Sequence, residues 1–257
     1  MKKTKKNAVL QALPLTLPTG WGDLTGQQVL RIAYYFSLGV TEPEMLLRLG
    51  AEFSDLKPRG TRQRDGEIMY MYYHRTHGNV LLNAEHMAAI ASALKWVVGD
   101  PGPMQAPPLD GYSTPDSRFY GITLEQYMTA EAACGAYLRT KNPHALRMLT
   151  ASLYPRRLFD PDRLEKEAGR LSYLPVWQLS AVLLWFCGAK QALMKKYPYV
   201  FSTSEGEAPA RPGDEVLLGL LSSLNDGRVA DNDAIKRLDV HEAFYELNLK
   251  IKNSQKK

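Results

Sequence analysis

The sequence predicts a mainly α protein, built as helical bundle-like lobes with one small β-hairpin. Three observations predict it. Apolar residues recur at three- and four-residue spacing through most of the chain, capping residues stand just ahead of those stretches, and period-two alternation is confined to one segment. With 257 residues, 45% hydrophobic and 23% charged, the chain is long enough to bury a sizeable core.

The elements follow in order. Residues 1–20 read as a flexible basic tail. In "LPTGWGDLTGQQVLRIAYYFSLG", Asp23 or Thr25 caps a helix that places Val29, Ile32, Ala33 and Phe36 on one face, and Gly39 stops it. "TEPEMLLRLGAEF" gives a second helix, with Thr41 as cap and Pro43 in the first turn, where the missing N–H is not needed. "KPRGTRQRDG" reads as a basic loop. In "EIMYMYYHRTHGNVLL", Ile68, Tyr70 and Tyr72 alternate with Met69, Met71 and Tyr73, so a hairpin spans about Ile68–Leu82. Asn83 then caps a helix to about Val98, which completes a first lobe over residues 21–100.

"GDPGPMQAPPLDGYSTPDS", with five prolines, reads as a loop or a boundary between lobes. The second lobe, 118–200, opens with "GITLEQYMTAEAACGAYLRT". Thr123 caps this helix, Leu124, Met128, Ala132 and Gly135 form one stripe, and Tyr127, Cys134 and Leu138 lie beside it. Asn142 and Pro143 start a shorter helix, and "DPDRLEKEAGR" gives a polar one. The segment from Pro175 to Lys196 is apolar nearly all round at first, so Trp177, Leu183 and Phe186 are expected deep in the core. Ser202–Asp214 is linker-like. A C-terminal extension, 215–257, carries helices over Glu215–Leu224 and about Asp233–Ile251.

Chemistry is sparse. His74, His77 and His86 are the nearest approach to a metal cluster, but H-x-x-H on a strand points its residues to opposite faces and no further ligand completes the set. Asp160 with Asp162 and Asp231 with Asp233 stand at helix starts, where capping explains them. Glu131 falls at the helical angle of Tyr127 and Cys134 and needs a partner if buried, for which Arg147 is one choice. No phosphate-binding glycine loop, Gly-x-Ser-x-Gly turn or cysteine–histidine pair is present, so neither an enzyme nor a cofactor is expected. Cys134 and Cys187 lie in apolar segments and read as buried free thiols.

The net charge of +5 belongs to the ends: without the four lysines in each terminal segment, 24 basic residues face 27 acidic ones. The basic start lacks the unbroken apolar run of a signal peptide, and "LPVWQLSAVLLWFCGA" is too short to span a bilayer. A cytoplasmic protein without membrane contact is the expectation.

"WGDLTGQQVLRIAYYF", "GITLEQYMTAEAACGAYLRT" followed by "ALRMLTASLY", and "VLLWFCGAKQALMKKYPYVF" resemble helical proteins encoded among the structural and tail genes of tailed phages and prophages. The second stretch is similar to a helix pair in tail-assembly-chaperone-like proteins. The resemblance implies a non-enzymatic interaction or assembly role with protein partners, phage tail components among them; self-association is a further expectation, tied to the last helix. Val240, Phe244, Leu247 and Ile251 share a face of the last helix and are the candidate partner contacts. Such a helix folds back on its own core, the commoner fate, or lies in a partner's groove. Its place after a linker makes it the best candidate for a detachable contact, so removal of 233–257 is expected to leave a folded body. The alternative is nucleic-acid binding, with Lys57, Arg59, Arg62 and Arg64 contacting phosphates and Tyr70 and Tyr72 as stacking platforms.

Overall fold

The computed structural model describes residues 15–201, 219, 222–225 and 229–254. It is mainly α with a small three-stranded antiparallel sheet. Helix α1 (Gly26–Ser37) is capped by Thr25, whose side chain accepts from Gln28 N–H while Gln28 accepts in return from Thr25 N–H. Asp23 does other work, accepting from the N–H and hydroxyl of Thr19 at 2.8 and 2.6 Å. Val29, Ile32 and Ala33 are buried as their spacing predicts, but Phe36 is 47% exposed at the end of the helix. Gly39, at φ 63°, adopts the left-handed conformation that ends it. Helix α2 (Glu42–Phe53) starts after Thr41, whose side chain makes no capping bond.

The expected basic loop is a strand. β1 (Leu56–Arg64) pairs with β2 (Glu67–His74), which pairs with β3 (Gly78–Leu82). The connection from β1 to β2 is Asp65-Gly66, both at positive φ (51° and 82°), the conformation two-residue hairpins require. Helix α3 (Ala84–Ala93) has a reciprocal cap from Asn83 and His86, and gives way to a 3-10 turn over Lys95–Val98 rather than running on to Val98.

Helix α4 (Leu124–Thr140) is capped by Thr123 and Gln126, and α5 (Pro143–Leu153) by Asn142, whose Oδ1 accepts from His144 N–H at 2.9 Å. Helix α4 buries a face turned from the expected stripe: Leu124, Tyr127, Ala130 and Cys134 are inside, Met128, Ala132 and Gly135 are half-buried, and Leu138 is exposed. Gln126 lies on the buried face, and its side chain donates to Ser152 O of α5 at 3.2 Å. A 3-10 turn (Pro161–Arg163) and α6 (Leu164–Arg170) follow, then α7 (Val176–Lys196). Phe186 is fully buried as expected, whereas Trp177 and Leu183 are only half-buried. Trp185 takes the central place, and Trp177 lies edge-on to Tyr34 near the surface at 5.4 Å.

The proline-rich segment 101–119 is a loop that sends several of its side chains inward. Met104, Ala106, Leu109 and Phe119 enter the main core, which runs unbroken from Trp21 to Phe244. Pro107 is buried with them and has no N–H to satisfy away from water. The remaining polar groups find partners: Tyr154 hydroxyl donates to Pro107 O at 2.7 Å, Trp185 Nε1 to Ser117 O at 3.1 Å, and Ala106 N–H to Ser117 Oγ at 3.1 Å. Gly188 is needed here, since a Cβ on it would stand 2.1 Å from Gly102 O.

Helices α8 (Pro198–Phe201), α9 (Asn232–Lys236) and α10 (Val240–Ser254) complete the chain. The linker-like stretch 202–214 and most of the helix expected at 215–224 lie outside the described residues. Helix α10 is not a detached element. Val240, Phe244 and Leu247 are at most 1% exposed, and only Ile251 of the expected contact stripe is half-buried. Phe244 meets the rings of Tyr127, Phe201 and Tyr197 edge-on at 5.2–6.0 Å. A two-way backbone bridge fixes the start of α10, with Leu124 N–H donating to Leu238 O at 2.8 Å and Val240 N–H to Ile122 O at 2.9 Å. Asp239 caps α10 through His241 N–H and also accepts from Gly121 N–H at 2.7 Å.

Two outcomes follow from this packing. Phe244→Ala should cost about 3–5 kcal/mol, and deletion of 240–257 should abolish cooperative unfolding in urea; a cooperative, undiminished transition in the truncated chain would show the helix to be dispensable. Gly188→Ala should cost roughly 1–3 kcal/mol or more, because the new methyl meets a backbone carbonyl that cannot rotate away. An unchanged melting temperature would contradict the close approach of the segment to α7.

Candidate functional site

Side chains on a strand alternate between faces, and directly paired residues share one. β1 and β2 pair Leu56 with His74, Pro58 with Tyr72, Thr61 with Tyr70 and Gln63 with Ile68. This face carries Leu56, Tyr70 and Tyr72 onto a small second core with Val80, Leu82 and Ile90. Burial raises the Tyr72 phenol pKa, with Tyr70 beside it adding to the effect. The two tyrosines expected as stacking platforms are therefore used in packing, on the opposite face from the cations.

The other face pairs Lys57 with Tyr73, Arg62 with Met69 and Arg64 with Glu67. A bulge between Pro58 and Gly60 inserts Arg59, whose guanidinium lies 5.3 Å from the Tyr73 ring centre. All four cations are exposed. The one ion pair among them, Arg64–Asp65 at 3.6 Å, is open to water on both sides and holds little. The structure thus gathers Lys57, Arg59, Arg62 and Arg64 with Tyr73 on the outward face of a projecting hairpin arm. Of the tyrosines on β2, the structure places Tyr73 on the face of the four cations, and Tyr70 and Tyr72 on the other. β1 is an edge strand, and its bulge, its Pro58 and its charges discourage another strand from adding to it.

The three histidines have structural uses. His74 Nδ1 accepts from the backbone N–H groups of Thr76 and His77 at 3.2 Å each, closing the turn into β3, and His86 completes the cap of α3. The rings of His74 and His77 lie 4.6 Å apart, closer than opposite strand faces would allow, because His77 sits in the turn. Among the described residues no group of three His, Cys, Asp or Glu side chains is placed to hold a metal ion. Asp160 caps the turn ahead of α6 through Asp162 N–H, as its position predicts. Asp231 occupies the N-cap of α9 without a side-chain bond.

Glu131 pairs with Lys190 of α7, not with Arg147, whose Nε is enclosed without a partner among the described residues. Beside this ion pair the Cys134 thiol donates to Cys187 Sγ. That bond raises the Cys134 pKa, and burial and the Cys187 charge raise it further. Accepting it lowers the Cys187 pKa; burial opposes the shift and Lys190 assists it. Both cysteines are free thiols.

Sequence reasoning missed two concave features. A groove of about 1040 Å³ runs between α1, α2 and the inner face of the sheet, past Tyr35, Leu47, Tyr70 and Met87. A cavity of about 530 Å³ lies between the end of α5, the loop 155–160 and α6. Its cations are scattered among residues that read singly as caps and surface charge, so only the fold brings them together.

The thiol pair predicts a pH profile. With its pKa lowered, Cys187 forms thiolate at lower pH than an unfolded chain's cysteines, while Cys134 keeps its proton. Iodoacetamide should therefore label Cys187 first, at a pH below the ordinary thiol range, and Lys190→Met should move that onset upward. Equal labelling of both cysteines in the folded protein would contradict the shared proton.

Among the described residues no helix is long and apolar enough to cross a membrane. No protein-family model matches the chain, and neither the curated proteins nor the solved structures contain a significant match.

Proposed function

We propose that this chain is a non-enzymatic interaction protein, of the phage tail-assembly kind its helices resemble, and that it meets its partner through the outward face of the β1–β2 arm. One observation carries the reading. The arm holds Lys57, Arg59, Arg62, Arg64 and Tyr73 in the open, on strands that a single core already anchors from the other side. Burying Val240, Phe244 and Leu247 removes the rival surface on α10. The bulged, charged edge of β1 favours recognition by side chains over strand addition. An acidic surface on a protein partner is the complement of such a face, and electrostatic attraction would speed the encounter.

Nucleic-acid binding is the second reading, favoured by the same four cations and by Tyr73, the one ring of the arm that shares their face. Salt distinguishes the two. Phosphate contacts would make log affinity fall steeply with log salt, and Arg62→Ala with Arg64→Ala would flatten the slope by roughly one to two counterions.

For the assembly role, co-expression with the products of neighbouring genes should yield a complex that Lys57→Glu with Arg62→Glu breaks without lowering the melting temperature. Binding of DNA or RNA should stay weaker than about 1 μM at physiological salt, within the range of non-specific contacts. Nanomolar nucleic-acid binding there would replace the assembly reading with the second one.

A further inference from the structure

The cavity beside α6 is lined by five cations, Arg156, Arg157, Arg163, Lys166 and Arg170, against two carboxylates, Asp160 and Glu167. Two of the cations are answered, since Arg163 pairs with Asp160 at 3.2 Å and Arg170 pairs with Glu167. Arg156, Arg157 and Lys166 have no carboxylate partner among the described residues. Arg156 is held in place, with its guanidinium 5.8 Å from the Tyr112 ring centre. Cations just past the C-terminal end of α5 favour its dipole, which accounts for Arg156 and Arg157 in part. It does not account for Lys166, which comes from α6 and faces the same hollow.

The remaining lining is mixed in a way that suits a ligand. Ala151 and Leu164 are buried and give an apolar floor. Glu167 Oε1 holds Arg170, and its Oε2 is shielded from solvent, so this carboxylate does not compete for the unpaired cations across the hollow. The volume of about 530 Å³ is that of a small-molecule site. Like charges gathered around a hollow repel one another until an anion fills it, and guanidinium groups bind phosphate through paired N–H donors.

We propose that this cavity binds a small phosphorylated ligand. The phosphate sits among Arg156, Arg157 and Lys166. This site shares no residue with the hairpin arm, so it stands apart from the assembly reading.

The test is calorimetric titration of the full chain with ribose 5-phosphate, with ribose as the unphosphorylated control. Saturable one-to-one binding is expected, weakening as salt rises, with none for ribose. Arg157→Ala with Lys166→Ala should weaken it at least tenfold, while Arg62→Ala with Arg64→Ala on the arm should leave it unchanged. Should the cavity variant melt early, Lys166→Met alone keeps the aliphatic stem and gives the same reading. No saturable binding, equal binding of ribose, or loss in the arm variant instead of the cavity variant would each overturn the proposal.

Discussion

Gly26 on α1 and Gly188 on α7 each face a carbonyl of the segment 101–119, where a methyl would stand 2.4 Å from Ala106 O and 2.1 Å from Gly102 O. Neither helix could approach that segment so closely with any larger residue. The close approach lets a stretch without regular structure act as the filling between the N-terminal helices and α7. Pro107 is buried without an N–H to satisfy, and Tyr154, Trp185 and Ser117 supply partners for other polar groups of the stretch. Phe119 ends the segment in a left-handed conformation, φ 69°, that a bulky side chain rarely adopts. Its ring is fully buried against Tyr127, Trp185 and Phe186, and this packing offsets the strain.

The same turn fixes the C-terminus. After Phe119, Gly121 reverses the chain at φ 76° and presents its N–H to Asp239. Ile122 and Leu124 then form the short bridge that starts α10, and His241 ties back by placing Nε2 2.8 Å from Arg118 O and accepting from the Tyr197 hydroxyl at Nδ1. Tyr120 stacks on the His241 ring at 4.3 Å. The last helix is therefore held by polar contacts at its first turn and by apolar burial along its length. The i, i+4, i+7 spacing of Val240, Phe244 and Leu247 is equally consistent with a partner's groove and with the chain's own core. Spacing alone cannot separate these, because it records only that one face is apolar.

Local signals were legible where the physics is local. Thr25, Asn83, Thr123 and Asn142 cap the helices their positions announce, and the proline-rich stretch is a loop. Misplaced features depend on contacts far away in sequence. The buried face of α4 includes Gln126, bonded to Ser152 of α5, and the central Trp185 bonds Ser117 and packs on Phe119 and Tyr154, all partners remote in sequence. One local signal was present and outweighed. Asp65-Gly66 announces a tight hairpin, but the charges of "KPRGTRQR" suggested a solvated loop when they mark a strand exposed along nearly its whole length. Recognising that turn also fixes the register, and with it the face on which Tyr73, not Tyr70 or Tyr72, joins the cations. The cavity had no such cue, since its lining comes from three consecutive elements whose angle to one another no short motif encodes.

Charge is what the finished fold distributes most unevenly. Without its terminal lysines the chain is slightly acidic, yet the arm presents four exposed cations and the cavity three that pair with no carboxylate among the described residues. The two groups differ in shape, and shape decides what each can hold. On the arm, the cations follow an extended strand, so several contacts form only with a surface or polymer of comparable length. Around the cavity they line one hollow, which suits a small phosphorylated molecule rather than a long chain. A bulk measurement of anion binding would blend both, and substitutions confined to one group separate them, since the arm and the cavity have no residue in common.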